Sequence, residues 1–212
     1  MKPIADCRLY AFVDTAYLSG RAPEIVAQQL CDGGADLIQL RAKKSLPEEI
    51  RRMAEKILPI TKRANVGLVI NDHLEIARDL GAELCHLGQE DFFDAGHSHV
   101  SQIRDAKSET LIGLSTHSPE QAKRALAAEP DYIAIGPVYA TGTKPTADPV
   151  TLGYVRWAAA NVNIPWFAIG GINLENLDGV LAAGAKRVCV VSAILNAPDV
   201  GRACAEFREK LG

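Results

Sequence analysis

The sequence predicts an α/β fold that consists of a single (β/α)8 barrel domain over residues 1–212. Strand-like apolar runs alternate eight times with helical patterns at even spacing, which is typical of a parallel sheet. The first strand is followed by Asp14-Thr15-Ala16-Tyr17, which is not the glycine-rich dinucleotide loop that an open doubly wound sheet would carry. A closed barrel is therefore favoured, and an open sheet of about six to eight strands is the alternative. At 212 residues the chain is near the small end for a barrel, so short loops are expected.

Short apolar runs predict the eight strands. They are Arg8–Val13, Asp36–Arg41, Leu68–Ile70, Ala82–Leu87, Thr110–Leu114, Asp131–Ile135, Pro165–Ile169 and Lys186–Val191. Apolar residues at helical spacing, together with capping signals, predict the helices between them. These are Pro23–Cys31, Pro47–Leu58, Leu74–Leu80, Val100–Lys107, a helix capped by Ser118 up to Ala128, Val150–Ala160, a helix capped by Asn173 up to Ala183, and Val200–Leu211. The stretch Asp91–His99 is expected to be a loop, and no linker divides the chain.

The composition excludes several classes of protein. Apolar residues make up 48% and charged residues 23% of the chain, as in an ordinary globular domain. A net charge of −3 gives no electrostatic reason to expect nucleic acid or an anionic membrane as a partner. Five cysteines without paired spacing indicate reduced thiols, and no signal peptide or membrane span is recognisable. A cytoplasmic location is therefore expected.

Two acidic residues follow neighbouring predicted strands. Asp72 comes directly after Val-Ile-Asn71, and Asp91 follows Gly88-Gln89-Glu90. If the strands are parallel neighbours, both carboxylates emerge at the same edge of the sheet. This arrangement suits a Mg²⁺ ion that completes its shell with water and with phosphate oxygens of a substrate. Each aspartate alone is equally compatible with a turn or a helix cap.

Other strand ends carry groups that bind anions. Gln39, Arg41 and Lys43 alternate, so they share one side of an extended chain, where an arginine fork and a lysine suit a polyphosphate. A hydroxyl at Ser115 follows the fifth strand, beside His117, which is more simply interpreted as a structural residue. The loop after the sixth strand contains Thr141-Gly142-Thr143-Lys144.

The last two strands end in groups that suit a monophosphate. Gly170-Gly171 follows the seventh strand, and Val191-Ser192 ends the eighth. Backbone amides after these two strands form a recurrent phosphate site in barrels of this kind. His97 and His99 are expected to lie on the surface without a metal role.

Taken together and in this order, the motifs resemble those of the thiamin phosphate synthase family from about Leu9 to Ile194. The motifs that carry the resemblance are Gln39-Leu40-Arg41-Ala42-Lys43, Asn71-Asp72, Gly88-Gln89-Glu90-Asp91, Gly113-Leu114-Ser115-Thr116-His117, Thr141-Gly142-Thr143-Lys144, Ile169-Gly170-Gly171-Ile172 and Val191-Ser192. The segment Phe92–Val100 departs from the family's pattern. The resemblance implies a (β/α)8 barrel that couples hydroxymethylpyrimidine diphosphate to thiazole phosphate, and releases pyrophosphate by a dissociative mechanism.

The resemblance also implies roles for individual residues. Asp72 and Asp91 would bind Mg²⁺, the expected cofactor. Catalytic contacts to the diphosphate would come from Arg41, Lys43, Ser115 and Lys144. The substrate-binding set implied is Gln39, Leu40, Arg41, Ala42, Lys43, Asn71, Ser115, Thr141, Gly142, Thr143, Lys144, Gly171, Val191 and Ser192. The expected partners are the two small molecules and, as an open question, a second copy of this chain.

Three alternatives stay open on sequence grounds. A thiazole tautomerase would share the barrel and the thiazole phosphate site, but it would not need the diphosphate and metal groups. Another phosphate-binding barrel, such as an isomerase or aldolase, would need a general base or a Schiff-base lysine, and no strong candidate is evident. A non-catalytic binding protein would not need to keep every charged residue of the site.

Overall fold

The computed structural model describes residues 1–141 and 150–212. Within these residues, eight parallel strands close into a barrel in which each strand pairs with the next and the last pairs with the first. The strands are β1 (Leu9–Asp14), β2 (Leu37–Arg41), β3 (Gly67–Asn71), β4 (Leu84–Leu87), β5 (Leu111–Thr116), β6 (Tyr132–Ile135), β7 (Trp166–Ile169) and β8 (Val188–Cys189). The predicted fold class is confirmed. That residues 1–212 form one domain stays a prediction.

Helices follow the strands around the outside of the barrel. They are α1 (Pro23–Asp32), α2 (Pro47–Arg63), α3 (Leu74–Leu80), α4 (Gln89–Asp94), α5 (Pro119–Ala127), α6 (Thr151–Asn161), α7 (Leu177–Ala182), α8 (Ser192–Leu195) and α9 (Val200–Leu211). Local sequence explains several of their ends. Ser118 caps α5 by accepting a hydrogen bond from the backbone N–H of Gln121, and Gly81 ends α3 in the left-handed conformation.

Aromatic side chains fill the interior of the barrel. Tyr10, Tyr132 and Phe167 are almost completely buried, and the Phe167 ring lies edge-on to both tyrosines with centroids 5.4 and 5.8 Å away. Gly113 makes room for this packing, because a Cβ there would lie 2.1 Å from the Tyr132 ring. The interior is therefore a packed core, and space for a ligand remains only above it.

Two predictions for the region between β4 and β5 are wrong. The first four residues of the expected loop Asp91–His99 instead belong to helix α4 (Gln89–Asp94), which includes Asp91 in its first turn. Phe92 and Phe93 are buried, and Arg124 lies over the Phe93 ring at 3.7 Å from its centroid, so the core holds this helix in place. The predicted helix Val100–Lys107 is wrong, since only a 3-10 turn forms at Val100–Gln102.

Asn173 has a different role from the one predicted. Its side chain accepts hydrogen bonds from the backbone N–H groups of Glu175 and Asn176, which organises a turn. Helix α7 begins only at Leu177, with Asn176 as its N-terminal flanking residue. The short helix α8 was not predicted, because Ser192–Leu195 was included in the end of a strand and its following loop.

None of the helices within residues 1–141 and 150–212 is both long and apolar enough to cross a bilayer.

Candidate active site

A cavity of about 190 Å³ opens at the carboxyl ends of the strands. The structure brings eleven of the predicted site residues together on its wall, namely Gln39, Arg41, Lys43, Asn71, Asp72, Asp91, Ser115, Thr141, Gly171, Val191 and Ser192. Leu40 and Ala42 are buried and do not line the cavity, as alternation along β2 requires. Gly142, Thr143 and Lys144 lie outside the described residues.

One side of the cavity is lined by charged residues from β2 and β3. The Arg41 guanidinium donates to the Asp14 carboxylate at 2.7 Å, and Lys43 forms an ion pair with Asp72. The Asn71 amide also donates to Asp72 Oδ2, at 2.6 Å. Both cations therefore already contact carboxylates in the structure, and they are positioned beside space that an anionic ligand can enter.

Asp72 is held in an uncommon backbone conformation. Its φ is 65°, in the left-handed region that aspartate tolerates better than most residues. The Asp72 N–H donates to the carbonyl of His86 at 2.8 Å, and the His73 N–H donates to the carbonyl of Asn71 across it at 2.9 Å. These bonds to β4 and to the preceding residue fix the direction in which the chain leaves β3.

Asp91 reaches the same cavity from the first turn of α4. A Cβ at position 88 would lie only 2.7 Å from Asp91 Oδ2, so the side chain of Asp91 folds back over Gly88. A side chain at this position would displace the carboxylate of Asp91, so glycine leaves it room. Glu90, which sequence reasoning did not select, also lines the cavity.

The two aspartates are suited to a magnesium ion. Mg²⁺ is usually held by one or two carboxylates together with substrate phosphates and water, rather than by an all-protein cage. Asp72 and Asp91 both line one cavity. Within residues 1–141 and 150–212, no three histidine, cysteine, aspartate or glutamate side chains gather as an all-protein metal site, here or elsewhere. An oxygen donor set of this size fits Mg²⁺ when a phosphate supplies further ligands.

Ser115 provides an unsatisfied polar group at the wall. Its Oγ is buried and has no hydrogen-bond partner among the described residues. A buried hydroxyl without a partner costs about 1–3 kcal/mol, so a ligand oxygen that accepts a hydrogen bond from it would remove the cost. Ser115 lines the cavity on the side of β5, between the charged side and the loop that follows β6.

The other side of the cavity, called here the backbone side, includes two adjacent glycines after β7. Gly170 and Gly171 have φ values of 103° and 65°, and a Cβ at Gly170 would lie 2.4 Å from Cα of Pro137. The Asn176 amide donates to the carbonyl of Gly171 at 2.9 Å, which fixes this turn. Val191 and Ser192 line the cavity where α8 begins. Amides at such a position suit a compact phosphate.

The floor of the cavity was missed by sequence reasoning. A chain of polar contacts crosses the floor. The Gln39 amide donates to the Tyr10 hydroxyl at 2.6 Å, and the Tyr10 and Tyr132 hydroxyls are hydrogen-bonded at 3.4 Å. The Tyr132 hydroxyl in turn lies 3.1 Å from His86 Nδ1. Burial raises the pKa of both tyrosines well above the usual value, so they remain neutral hydroxyls. Phe12 stacks on Tyr10 with centroids 5.1 Å apart. The floor is therefore mainly aromatic, and its two tyrosine hydroxyls are neutral.

His117 serves as a structural anchor beside this site. Its Nδ1 donates to the carbonyl of Gly136 at 2.5 Å, since a carbonyl oxygen can only accept. This bond ties the end of β5 to the loop after β6. The structural role expected for this histidine is therefore consistent with its contacts, although the side chain also lines the cavity.

Comparison with known proteins gives a consistent result. The family model described as thiamine monophosphate synthase matches residues 9–194. A thiamine-phosphate synthase of Halalkalibacterium halodurans is 38% identical over 204 residues, covering 95% of this chain and 94% of that protein. One from Thermus thermophilus is 44% identical over 187 residues and 84% of each chain. The solved structure of thiamine phosphate pyrophosphorylase from Pyrococcus furiosus superimposes with a TM-score of 0.82 at 26% identity, covering 98% of this chain and 96% of that one. The chain belongs to the thiamine monophosphate synthase family.

Proposed function

We propose that this transferase joins hydroxymethylpyrimidine diphosphate to thiazole phosphate and releases pyrophosphate, so that thiamin phosphate is formed. The observation that carries the proposal is the convergence of two cations, two carboxylates and an unpartnered hydroxyl on one cavity. A diphosphate needs this combination, whereas a monophosphate alone does not.

The charged side of the cavity is proposed to bind the diphosphate and to assist its departure. As the bond to the pyrimidine methyl carbon breaks, negative charge accumulates on the leaving oxygens. Arg41, Lys43 and Ser115 line the cavity and would stabilise that charge, and Lys144 is assigned the same role from the sequence alone. Preorganised donors act most strongly on the charge that develops in the transition state. Asp72 and Asp91 would hold Mg²⁺, which supplies further positive charge against the diphosphate when bound.

The backbone side is proposed to bind thiazole phosphate. The cavity wall that would contact it includes Thr141, Gly171, Val191 and Ser192. Gly142 and Thr143 are assigned to the same ligand from the sequence alone. Gln39 and Asn71 would contact the pyrimidine diphosphate. The pyrophosphate leaves first, and the thiazole nitrogen then traps the pyrimidine methyl cation. Such a step needs no protein nucleophile, and the aromatic floor keeps water from the cation.

The described contacts favour this function over a thiazole tautomerase. A tautomerase acts on a monophosphate and would leave the arrangement of Arg41, Lys43, Asp72 and Asp91 without use.

A cytoplasmic location is part of the proposal. It is supported by five free cysteine thiols, which suit a reducing compartment.

The direct test is to mix the protein with both substrates and Mg²⁺, and to measure thiamin phosphate and pyrophosphate. The expected result is equal amounts of the two products, formed only when both substrates are present. Isomerisation of the thiazole phosphate without any coupled product would reject the proposal in favour of the tautomerase.

A further inference from the structure

Asp14 is a buried carboxylate at the same end of the barrel as the cavity, but it does not line the cavity. It is the last residue of β1, and its direct partner in the parallel ladder is Arg41, the last residue of β2. Only 1% of Asp14 is exposed. The position of this acid is therefore set by the barrel itself, independently of any ligand.

Both oxygens of this carboxylate have protein donors. Oδ2 accepts from Nη1 of Arg41 at 2.7 Å, and Oδ1 accepts from the backbone N–H of Ala16 at 3.0 Å. The bond to Ala16 belongs to the turn Thr15–Tyr17, which Asp14 caps. Because the backbone bond prevents the carboxylate from rotating, the direction from which it holds Arg41 is fixed.

Arg41, in contrast, faces the ligand space. Its side chain is 15% exposed and lines the cavity, and Asp14 engages only one of the three guanidinium nitrogens. An arginine side chain has many rotamers, and it binds phosphate best when its fork is already oriented. A fixed anion behind the guanidinium supplies that orientation without competing for the ligand's own position.

We propose that Asp14 is a positioning residue for diphosphate binding, which aims the Arg41 guanidinium into the cavity. The inference rests on the proposed function, because it assigns the diphosphate to the side of the cavity where Arg41 lies. Asp14 itself touches neither substrate. Its effect should therefore disappear when Arg41 is absent, which a general contribution to folding would not do.

The test is a double-mutant cycle with magnesium pyrophosphate as the probe. Asp14→Asn keeps the shape and the cap to Ala16 but removes the charge. Calorimetric titration should show pyrophosphate bound about 10- to 100-fold more weakly by Asp14→Asn than by the unaltered protein. In an Arg41→Ala background the same change should have less than about a twofold effect. The KM for thiazole phosphate should not change in either background.

A matched control comes from the other end of the barrel. Asp131 accepts from Nη2 of Arg104 at 2.7 Å and from the backbone N–H of Ile112, so it makes the same two kinds of bond. Asp131→Asn should lower the thermal unfolding temperature while leaving pyrophosphate affinity unchanged. If Asp14→Asn does not fold, Asp14→Glu replaces it, because it keeps the charge and shifts the carboxylate. Weaker pyrophosphate binding by Asp14→Glu is then expected.

Two outcomes overturn the inference. One is unaltered pyrophosphate affinity in the folded Asp14 variant, and the other is an equal loss with and without Arg41. The proposed function is judged separately, by coupling in the unaltered protein. Absent coupling together with an Arg41-dependent effect of Asp14 would remove the proposed reaction but keep the positioning role. Failure of the unaltered protein to bind magnesium pyrophosphate would overturn both.

Discussion

Asp72, at the carboxyl ends of the strands, differs in its hydrogen-bond partners from three acids at the amino ends. At the amino ends of the strands, Asp36, Glu83 and Asp131 directly precede β2, β4 and β6. Each accepts hydrogen bonds from backbone N–H groups at the start of the preceding strand. The N···O distances are 2.6 and 2.9 Å for Asp36, 3.0 Å for Glu83 and 2.7 Å for Asp131. At the carboxyl ends, the Asp72 carboxylate instead accepts hydrogen bonds from the side chains of Lys43 and Asn71.

This difference separates stability from function. A backbone N–H within a sheet cannot move away, so the acids at the amino ends are permanently satisfied and act as structural ties. Side chains such as Lys43 can exchange one anion for another, so Asp72 is available to a metal ion or to a ligand. Residue type alone does not distinguish Asp72 from these three acids at the amino ends, whereas the backbone N–H groups that only the three accept from do.

The largest effect is expected for Asp91→Ala. If Asp91 binds the metal ion, kcat for coupling should fall by about 10²- to 10³-fold, because charge stabilisation of the leaving diphosphate is lost. The helix α4 should persist, since the core holds it through Phe92 and Phe93. Steady-state kinetics and far-UV circular dichroism measure the two quantities. A kcat near that of the unaltered protein would reject the role of Asp91.

A smaller effect, on stability alone, is expected at the other end. Asp36 is buried and is contacted by Lys2 and Arg208 as well as by the backbone. Asp36→Asn should lower the free energy of unfolding in urea by about 2 kcal/mol, with kcat and KM unchanged. Asp178, an exposed acid paired with Lys210, is the control, and Asp178→Asn should cost less than about 0.5 kcal/mol. Loss of coupling in a folded Asp36→Asn protein would contradict the assignment of Asp36 to stability alone.

The smallest effect is expected at Ser115. Ser115→Ala should lower kcat/KM for the diphosphate substrate by about tenfold, the value of one hydrogen bond to a charged ligand. It should not lower stability, because the hydroxyl has no partner among the described residues. Ser118→Ala gives the opposite pattern, since it removes a helix cap worth about 1 kcal/mol and leaves the kinetics intact. A stability loss at Ser115 without a kinetic effect would show that the hydroxyl serves the fold.

Much of this architecture could be predicted because barrel strands are buried on both faces and appear as continuous apolar runs. The charged side of the cavity was also predictable, since alternation along β2 places Gln39, Arg41 and Lys43 on one face. The family and the enzyme class, predicted from the motifs, are confirmed by the comparisons.

The remaining features depend on relations between strands. The contact of Asp14 with Arg41 requires the pairing register of β1 and β2, and the floor requires four strands to bring Tyr10, Gln39, Tyr132 and His86 together. Helix α4 was missed although acids after Gly88 are a signal for a helix start. There the adjacent Phe92 and Phe93 were not recognised as its buried face.

The proposed function requires a magnesium ion, which Asp72 and Asp91 are proposed to hold. The most direct measurement is the rate of thiamin phosphate formation in excess chelator, followed by titration with Mg²⁺, with circular dichroism recorded throughout. The expected result is complete loss of coupling in chelator and full recovery with Mg²⁺, while the fold is unchanged. Undiminished turnover in excess chelator would contradict the claim.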